Sequence, residues 1–136
     1  MSLKYARSGA GNASEYLVSG TPYVTRSLAT EVPNVGGTPL KLTFPFVTRF
    51  FNIQNIGANP LRFGFSKNGV AGSVTSNYIV LDAGVTSSIT YEIKTKELYF
   101  LGGGGTTGFE IIAGLTSVNT KQFPILTGSN GFEGVG

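Results

Sequence analysis

The sequence predicts an all-β domain whose short strands form two packed sheets. Apolar residues occupy every second position in several short runs, a period that places them on one face of a strand. Twenty glycines and six prolines separate these runs and disfavour helices. No window carries apolar residues at the helical period, so we expect no helix longer than about two turns.

The chain of 136 residues divides into an arm, one strand-rich domain and a tail. Residues 1–20 are dominated by small and polar side chains, which cannot fill a core. Residues 21–126 hold the candidate strands, in a length that suits one domain with its own core. Residues 127–136 are glycine-rich, and we expect this tail to be loose.

The arm contains apolar anchors but has no core of its own. The anchors are Tyr5, Tyr16, Leu17 and Val18. Because ordering costs about 1–2 kcal/mol per residue, such a segment orders only where it buries its anchors on other protein. We therefore expect these residues to contact a neighbouring subunit, and a frayed terminus is the alternative.

The first half of the domain contains four candidate strands. Residues 23–29 form one, and residues 40–44 alternate before a proline that ends the run. Residues 47–56 form the longest run, and residues 57–60 then turn the chain. In residues 61–65 three apolar side chains share one face. Either the first or the second of these runs opens the sandwich.

The second half contains five further candidates. Residues 78–81 are continuously apolar, and residues 87–94 alternate between apolar and polar. Residues 97–101 are apolar on both faces, and residues 109–113 form the next strand. Residues 122–126 are the candidate last strand.

Aromatic side chains in these runs predict the core. Ten Phe and six Tyr are present, without Trp, so we favour packing over stacking of sugars or single-stranded nucleic acid. The residues at core-like strand positions are Phe46, Phe50, Phe51, Phe63, Phe65, Phe100 and Phe109. We expect burial specifically of Phe63, Tyr91, Ile93, Phe100 and Ile111, which are flanked by polar or small positions.

The spacing of the strands also predicts their pairing. Residues 78–81 and 87–94 are separated by a short turn and should form a hairpin. The flanking strands then nest around it, residues 61–65 with 97–101 and the longest run with residues 109–113. The first strand would pair with the last. This nesting is the order of an eight-stranded single jelly-roll sandwich with an N-terminal arm. An immunoglobulin-type sandwich stays open, although the chain lacks its usual Cys pair and Trp.

The missing residue types exclude whole reaction classes. Without Cys or His the chain has no thiol nucleophile, thiolate metal site, imidazole base or imidazole metal ligand. Asp82 is the only aspartate, and the six glutamates are scattered. The glycines of residues 102–105 lack the Gly-Lys-Ser/Thr that a phosphate-binding loop needs. We therefore expect that the chain is not an enzyme and that it binds no cofactor and no metal ion. The one exception left open is a metal site with oxygen ligands only, made from Asp82 and backbone carbonyls.

The low number of charged residues and their scattered positions indicate which kinds of partner the chain can bind. Only 12% of residues are charged, about half the usual share of roughly 25%. A surface so poor in charge suits contact with other protein. No two Lys or Arg are adjacent, so we expect no direct nucleic-acid specificity. The charged junction of Glu92, Lys94, Lys96 and Glu97 is expected to be a solvated edge, with register between subunits as the alternative.

No membrane or export signal is recognisable. No run approaches the roughly 20 apolar residues of a membrane helix, so we expect no membrane span. Residues 1–7 lack the apolar centre of a signal peptide, so we expect no secretory leader.

The segment from Phe50 to Ser117 resembles a known family. It contains FNIQNIGANPLRFGFS from Phe51, followed by Asn68-Gly69, LDAG from Leu81, IKTKELYF from Ile93 and FEIIAGLT from Phe109. These motifs are similar to those of small single-jelly-roll capsid proteins of large icosahedral double-stranded DNA viruses, particularly the penton proteins at their vertices. The resemblance covers about half the chain, and its motifs are turns and strands rather than catalytic signatures.

The resemblance implies a structural capsid protein that forms the pentameric vertex capsomer of a virion. We then expect a homopentamer that contacts neighbouring capsid proteins, is made in the host cell and resides at the capsid vertex. The alternative is a receptor- or glycan-binding jelly-roll module on a viral fibre or surface structure. Its loops would be residues 67–77 and 102–107, and the absence of aromatic residues from both loops disfavours it.

Overall fold

A computed structural model describes residues 20–72, 76–83, 89–123 and 135. The described residues form eight strands in two antiparallel four-stranded sheets. The strands are β1 (Thr21–Arg26), β2 (Leu40–Thr43), β3 (Phe46–Asn55), β4 (Leu61–Gly64), β5 (Ile79–Leu81), β6 (Ile89–Tyr91), β7 (Glu97–Gly102) and β8 (Phe109–Asn119). A five-residue helix, α1 (Lys67–Ala71), follows β4, and a 3-10 turn (Thr120–Gln122) follows β8.

The strand order is β1-β8-β3-β6 in the first sheet and β2-β7-β4-β5 in the second. β8 lies inside the first sheet, where it pairs with β1 on one side and with β3 on the other. Two irregularities interrupt the β3–β8 register, between Phe46 and Thr48 and between Thr48 and Phe50. Such irregularities bend a strand and increase its twist.

The core lies between the two sheets and is rich in aromatic rings. Phe100 of the second sheet stacks on Phe109 of the first, with ring centroids 4.1 Å apart. The fully buried large side chains come from both sheets and from the connections before and after β2. They include Phe44, Phe51, Phe63, Phe100, Ile53, Leu61, Leu98, Leu101, Ile111, Leu115, Val32 and Val47. The alternating pattern of the sequence thus places its apolar positions inside a β-sandwich.

One end of the sandwich is closed by a buried amide. The Asn55 side chain donates to the carbonyls of Asn59, at 2.8 Å, and Leu81, at 3.1 Å. Its Oδ1 accepts from the Gly57 backbone N–H at 2.9 Å and from the Thr107 hydroxyl at 2.8 Å. One side chain therefore satisfies backbone groups from several loops, which fixes those loops against each other.

Eight of the nine predicted strands and two of the predicted pairings are confirmed. The run at residues 23–29 is the first strand and ends at Arg26, and the run at residues 40–44 is the second. β4 pairs with β7, and β3 pairs with β8, as the nesting required.

The predicted hairpin is wrong. β5 and β6 lie in different sheets, because β5 pairs with β4 and β6 pairs with β3. The predicted last strand at residues 122–126 is also wrong where it is described, since Gln122 lies in the 3-10 turn. β1 instead pairs with β8, whose eleven residues extend well beyond the predicted run.

Burial corrects five side-chain predictions. Phe63, Phe100 and Ile111 are buried, whereas Tyr91 is only partly buried. Ile93 is 41% exposed because β6 ends at Tyr91, and the inward alternation ends with it. Phe46, at the irregular start of β3, is also 41% exposed. Phe50 and Phe65 are partly buried rather than core.

Residues 67–77 are not simply a loop, because α1 begins there. Ser66 is the N-cap and accepts a hydrogen bond from the Gly69 N–H at 2.9 Å. Gly72 ends the helix with a φ of 72°, a left-handed conformation that favours glycine. Of the expected loose tail only Val135 is described, and its carbonyl accepts a 2.6 Å hydrogen bond from the Ser66 hydroxyl. The other residues of the tail lie outside the described residues.

Candidate interaction surface

The outer face of the first sheet carries an apolar patch. The register places Val24 of β1 beside Ile112 of β8, and they are 66% and 47% exposed. The neighbouring row contains Pro22 and Phe50, on either side of Gly114. Phe50 points outward because the next residue, Phe51, is buried. We call Pro22, Val24, Phe50 and Ile112 the outer patch.

Polar groups border the outer patch. Arg26 and Glu110 form an ion pair at 3.5 Å in the row beyond Val24 and Ile112. Both side chains are well exposed, so the pair contributes little to stability. An apolar centre with a polar border is the composition of a protein-contact surface.

β1 also leaves backbone groups available at the edge of the first sheet. The Ser27 N–H donates to the Phe109 carbonyl, so the backbone groups of Val24 and Arg26 face away from β8. Unpaired groups on an edge strand can pair with a strand of another chain.

The opposite sheet has a smaller exposed apolar site and a cleft. On the edge strand β5, Ile79 and Val80 are 44% and 47% exposed. Beside β5 lies a cleft of ≈ 250 Å³. Its lining residues are Phe63, Gly64, Phe65, Ser76, Asn77, Tyr78 and Ile79. The Arg62 guanidinium lies 4.2 Å from the centre of the Tyr78 ring, which fixes that ring at the border of the cleft.

The described carboxylates are separated from one another and mostly engaged. Glu97 lies 3.1 Å from Lys41, and Glu92 lies 3.8 Å from Arg49. Glu31 accepts a hydrogen bond from the Leu28 N–H at 2.9 Å. Over the described ranges, no three acidic side chains are grouped so that they could hold a metal ion.

Glu97 interacts with both Lys41 and Tyr99. Its side chain is only 15% exposed and accepts a hydrogen bond from the Tyr99 hydroxyl at 3.3 Å. The hydrogen bond and charge of Glu97 raise the pKa of Lys41. Burial raises the pKa of Tyr99, and the Glu97 charge raises it further. The predicted solvated edge is thus wrong for Glu97, which pairs across to β2.

The predicted arm contacts, Tyr5, Tyr16, Leu17 and Val18, lie outside the described residues. Asp82 is exposed at the end of β5. The sequence analysis missed the outer patch, although the adjacent pair Ile111-Ile112 contained a signal. Successive residues of a strand point to opposite faces, so one of two neighbouring isoleucines had to point outward.

In the part of the chain that the structure describes, no helix has the length and apolarity required to cross a membrane. Comparisons with protein-family models, with curated proteins and with solved structures find no match to this chain.

Proposed function

We propose that this chain is a structural protein of an icosahedral virion and forms the homopentameric capsomer at its vertices. The sandwich is then a single jelly roll. Its support is the nested pairing of β1 with β8, β2 with β7, β3 with β6 and β4 with β5. Two-sheet jelly rolls of eight strands occur in viral capsid domains and in lectins.

The five-fold symmetry and the vertex location rest on the resemblance of residues 50–117 to penton proteins. The neighbours of the pentamer would be other capsid proteins of the shell. In this role the chain contributes to the structure of the shell and catalyses no reaction.

The observation that carries the assembly proposal is the outer patch. A chain with 12% charged residues has little charge with which to keep copies apart. Its first sheet presents Val24, Ile112 and Phe50 together to the outside. Burying such a patch between copies removes apolar surface from water, which is the main driving force of association.

Native mass spectrometry of the purified full chain tests the proposal. We expect a species of five times the 14.3 kDa chain mass. A monomer at every concentration would contradict self-assembly, and another closed number of subunits would contradict the five-fold symmetry.

A pair of matched variants tests the outer patch. Ile112→Glu places a charge on the patch, and Val80→Glu places one on the other sheet at the same 47% exposure. We expect Ile112→Glu to shift the mass distribution to monomer, because burying an unpaired charge is costly, while Val80→Glu keeps the assembly. Circular dichroism checks that both variants fold. The reverse result would place the contact at β5.

One observation favours a second candidate function, a receptor- or glycan-binding module. The cleft beside β5 exposes aromatic surface from Phe65 and Tyr78 next to the polar groups of Ser76 and Asn77. Aromatic rings with adjacent hydrogen-bonding groups suit a sugar. Binding of the purified protein to a glycan array, lost in Tyr78→Ala, would support this function.

A further inference from the structure

At one end of the sandwich the connection between β6 and β7 is held against the start of β3. The Thr48 N–H donates to the Thr95 carbonyl at 2.9 Å, and the Thr48 hydroxyl donates to the Ile93 carbonyl at 3.0 Å. β8 ends at the same place, since Asn119 pairs with Phe46. Segments that are distant in sequence therefore meet at this end of the molecule.

These segments carry four cations. Two belong to the β6–β7 connection, one to β3 and one to the 3-10 turn after β8. They are Lys94, Lys96, Arg49 and Lys121. One acid accompanies them, Glu92, whose carboxylate lies 3.8 Å from the Arg49 guanidinium. A second acid, Glu97, begins β7 at this end, but it is balanced by Lys41 at 3.1 Å.

The charge of the described part of the chain is concentrated at this end. Of its charged side chains eight are cations and five are anions, an excess of three positive charges. Four cations and one anion at this end account for the whole excess, so the other described cations and anions are equal in number. Such a concentration of positive charge attracts an anionic surface.

Exposed apolar side chains accompany these cations. Phe46 and Ile93 are each 41% exposed, and Pro45 is exposed beside Phe46. Ile93 directly precedes Lys94 in the sequence. Cations next to exposed aromatic and aliphatic side chains suit a lipid surface, because the charges meet the headgroups while the apolar groups leave water. A nucleic-acid backbone would use the charges and leave the apolar groups in water.

We propose that these four cations together with Phe46 and Ile93, which we call the basic end, form a docking site for an anionic lipid surface. The lysines contact the headgroups, and the two apolar side chains enter the boundary between headgroups and acyl chains. This inference goes beyond the proposed function and does not depend on it.

Co-sedimentation of the full chain with lipid vesicles tests the proposal. We expect binding to vesicles of phosphatidylcholine and phosphatidylserine in a ratio of about 7:3, and none to phosphatidylcholine alone. Added salt should weaken the binding, because it screens the charges. Lys121→Gln should weaken it about fivefold or more. The matched control is Arg26→Gln, which removes one charge from another exposed side chain and should change the affinity less than about twofold.

A second pair of variants separates a lipid surface from other anions. Phe46→Ala should weaken vesicle binding about tenfold, because less apolar surface leaves water, whereas Val80→Ala on β5 should not weaken it. No binding to the anionic vesicles, or equal losses in Lys121→Gln and Arg26→Gln, would overturn the proposal. Binding that Phe46→Ala leaves unchanged and that double-stranded DNA displaces would also overturn it, and would assign the basic end to nucleic acid.

Discussion

Phe63 connects the two sheets through its ring. It lies on β4 of the second sheet, with its ring centre 6.3 Å from Phe51 and 5.3 Å from Tyr91 of the first sheet. Edge-to-face rings at these distances add to the free energy of burial. A side chain in this position contributes to the stability of both sheets at once.

Phe63→Ala should lower the free energy of unfolding by about 3–5 kcal/mol, because it leaves a cavity at a fully buried site. Urea denaturation measures the loss. Phe46→Ala is the control, since Phe46 is 41% exposed, and it should cost less than about 1 kcal/mol. Equal losses in the two variants would contradict the burial described for Phe63.

Three residues make stability sensitive to alkaline pH. The pKa values of Lys41, Tyr91 and Tyr99 are all raised in the folded state, from ordinary values of 10.5 for Lys and 10.0 for Tyr. Each group holds its proton more tightly when folded. Its stabilising contribution is therefore complete below the ordinary pKa and is lost as pH rises through the raised value.

We expect the urea midpoint to fall as pH rises above about 10. Glu97→Gln should flatten this fall, because Glu97 raises the pKa of Lys41 and contributes to the raised pKa of Tyr99. Denaturation curves between about pH 8 and about pH 11 measure the effect. A midpoint that rises with pH in this range would contradict the assigned direction.

At the scale of elements, the alternation of apolar and polar residues predicted where the strands lie better than it predicted which strands pair. The run containing β5 and the run containing β6 are close in sequence, which suggested a hairpin. Each short strand instead pairs with a longer strand, β5 with β4 in the second sheet and β6 with β3 in the first. Sequence distance measures the entropy of closing a loop and does not measure what a strand buries when it pairs.

β8 shows a second limit of local reasoning. Its burial alternates through Ile111 and Ala113 but becomes continuous from Ala113 to Thr116. A strand that is buried on both faces loses the period-two signal, so its extension to Asn119 could not be read from alternation. Thr116 is accommodated there because its hydroxyl donates to the Val47 carbonyl at 2.7 Å.

A deletion that leaves β1 intact tests the role of the N-terminal arm. The Gly20 N–H donates to the Leu115 carbonyl at 2.7 Å, so the deletion should remove residues 2–19 and keep Gly20. The shortened chain should fold and form the pentamer but fail to enter particles, because its anchors on neighbouring protein are gone. Incorporation into particles by co-expression measures this, and normal incorporation would exclude the anchoring role.

At the scale of the whole molecule, the sequence predicted two packed sheets and a Phe-rich core. The outer patch and the cleft were not predicted. Val24 follows the core-facing Tyr23, and an exposed valine in a strand looks no different from a buried one until its partner strand is known. The hydrogen bond from Ser66 to Val135 joins residues far apart in sequence, so no local pattern could contain it.

The pairing of β1 with β8 also has a consequence for how the protein is made. Thr21–Arg26 must wait for Phe109–Asn119 before its own backbone is paired, and one edge of β3 waits for the same strand while the other pairs with β6. Contacts of such long sequence separation form slowly, and strands that wait for a partner expose unpaired backbone groups and apolar surface. During synthesis the first sheet is therefore open to mispairing between nascent chains on neighbouring ribosomes. The arrival of β8 ends that interval, so slower translation upstream of β8 should lower the yield of correctly folded protein.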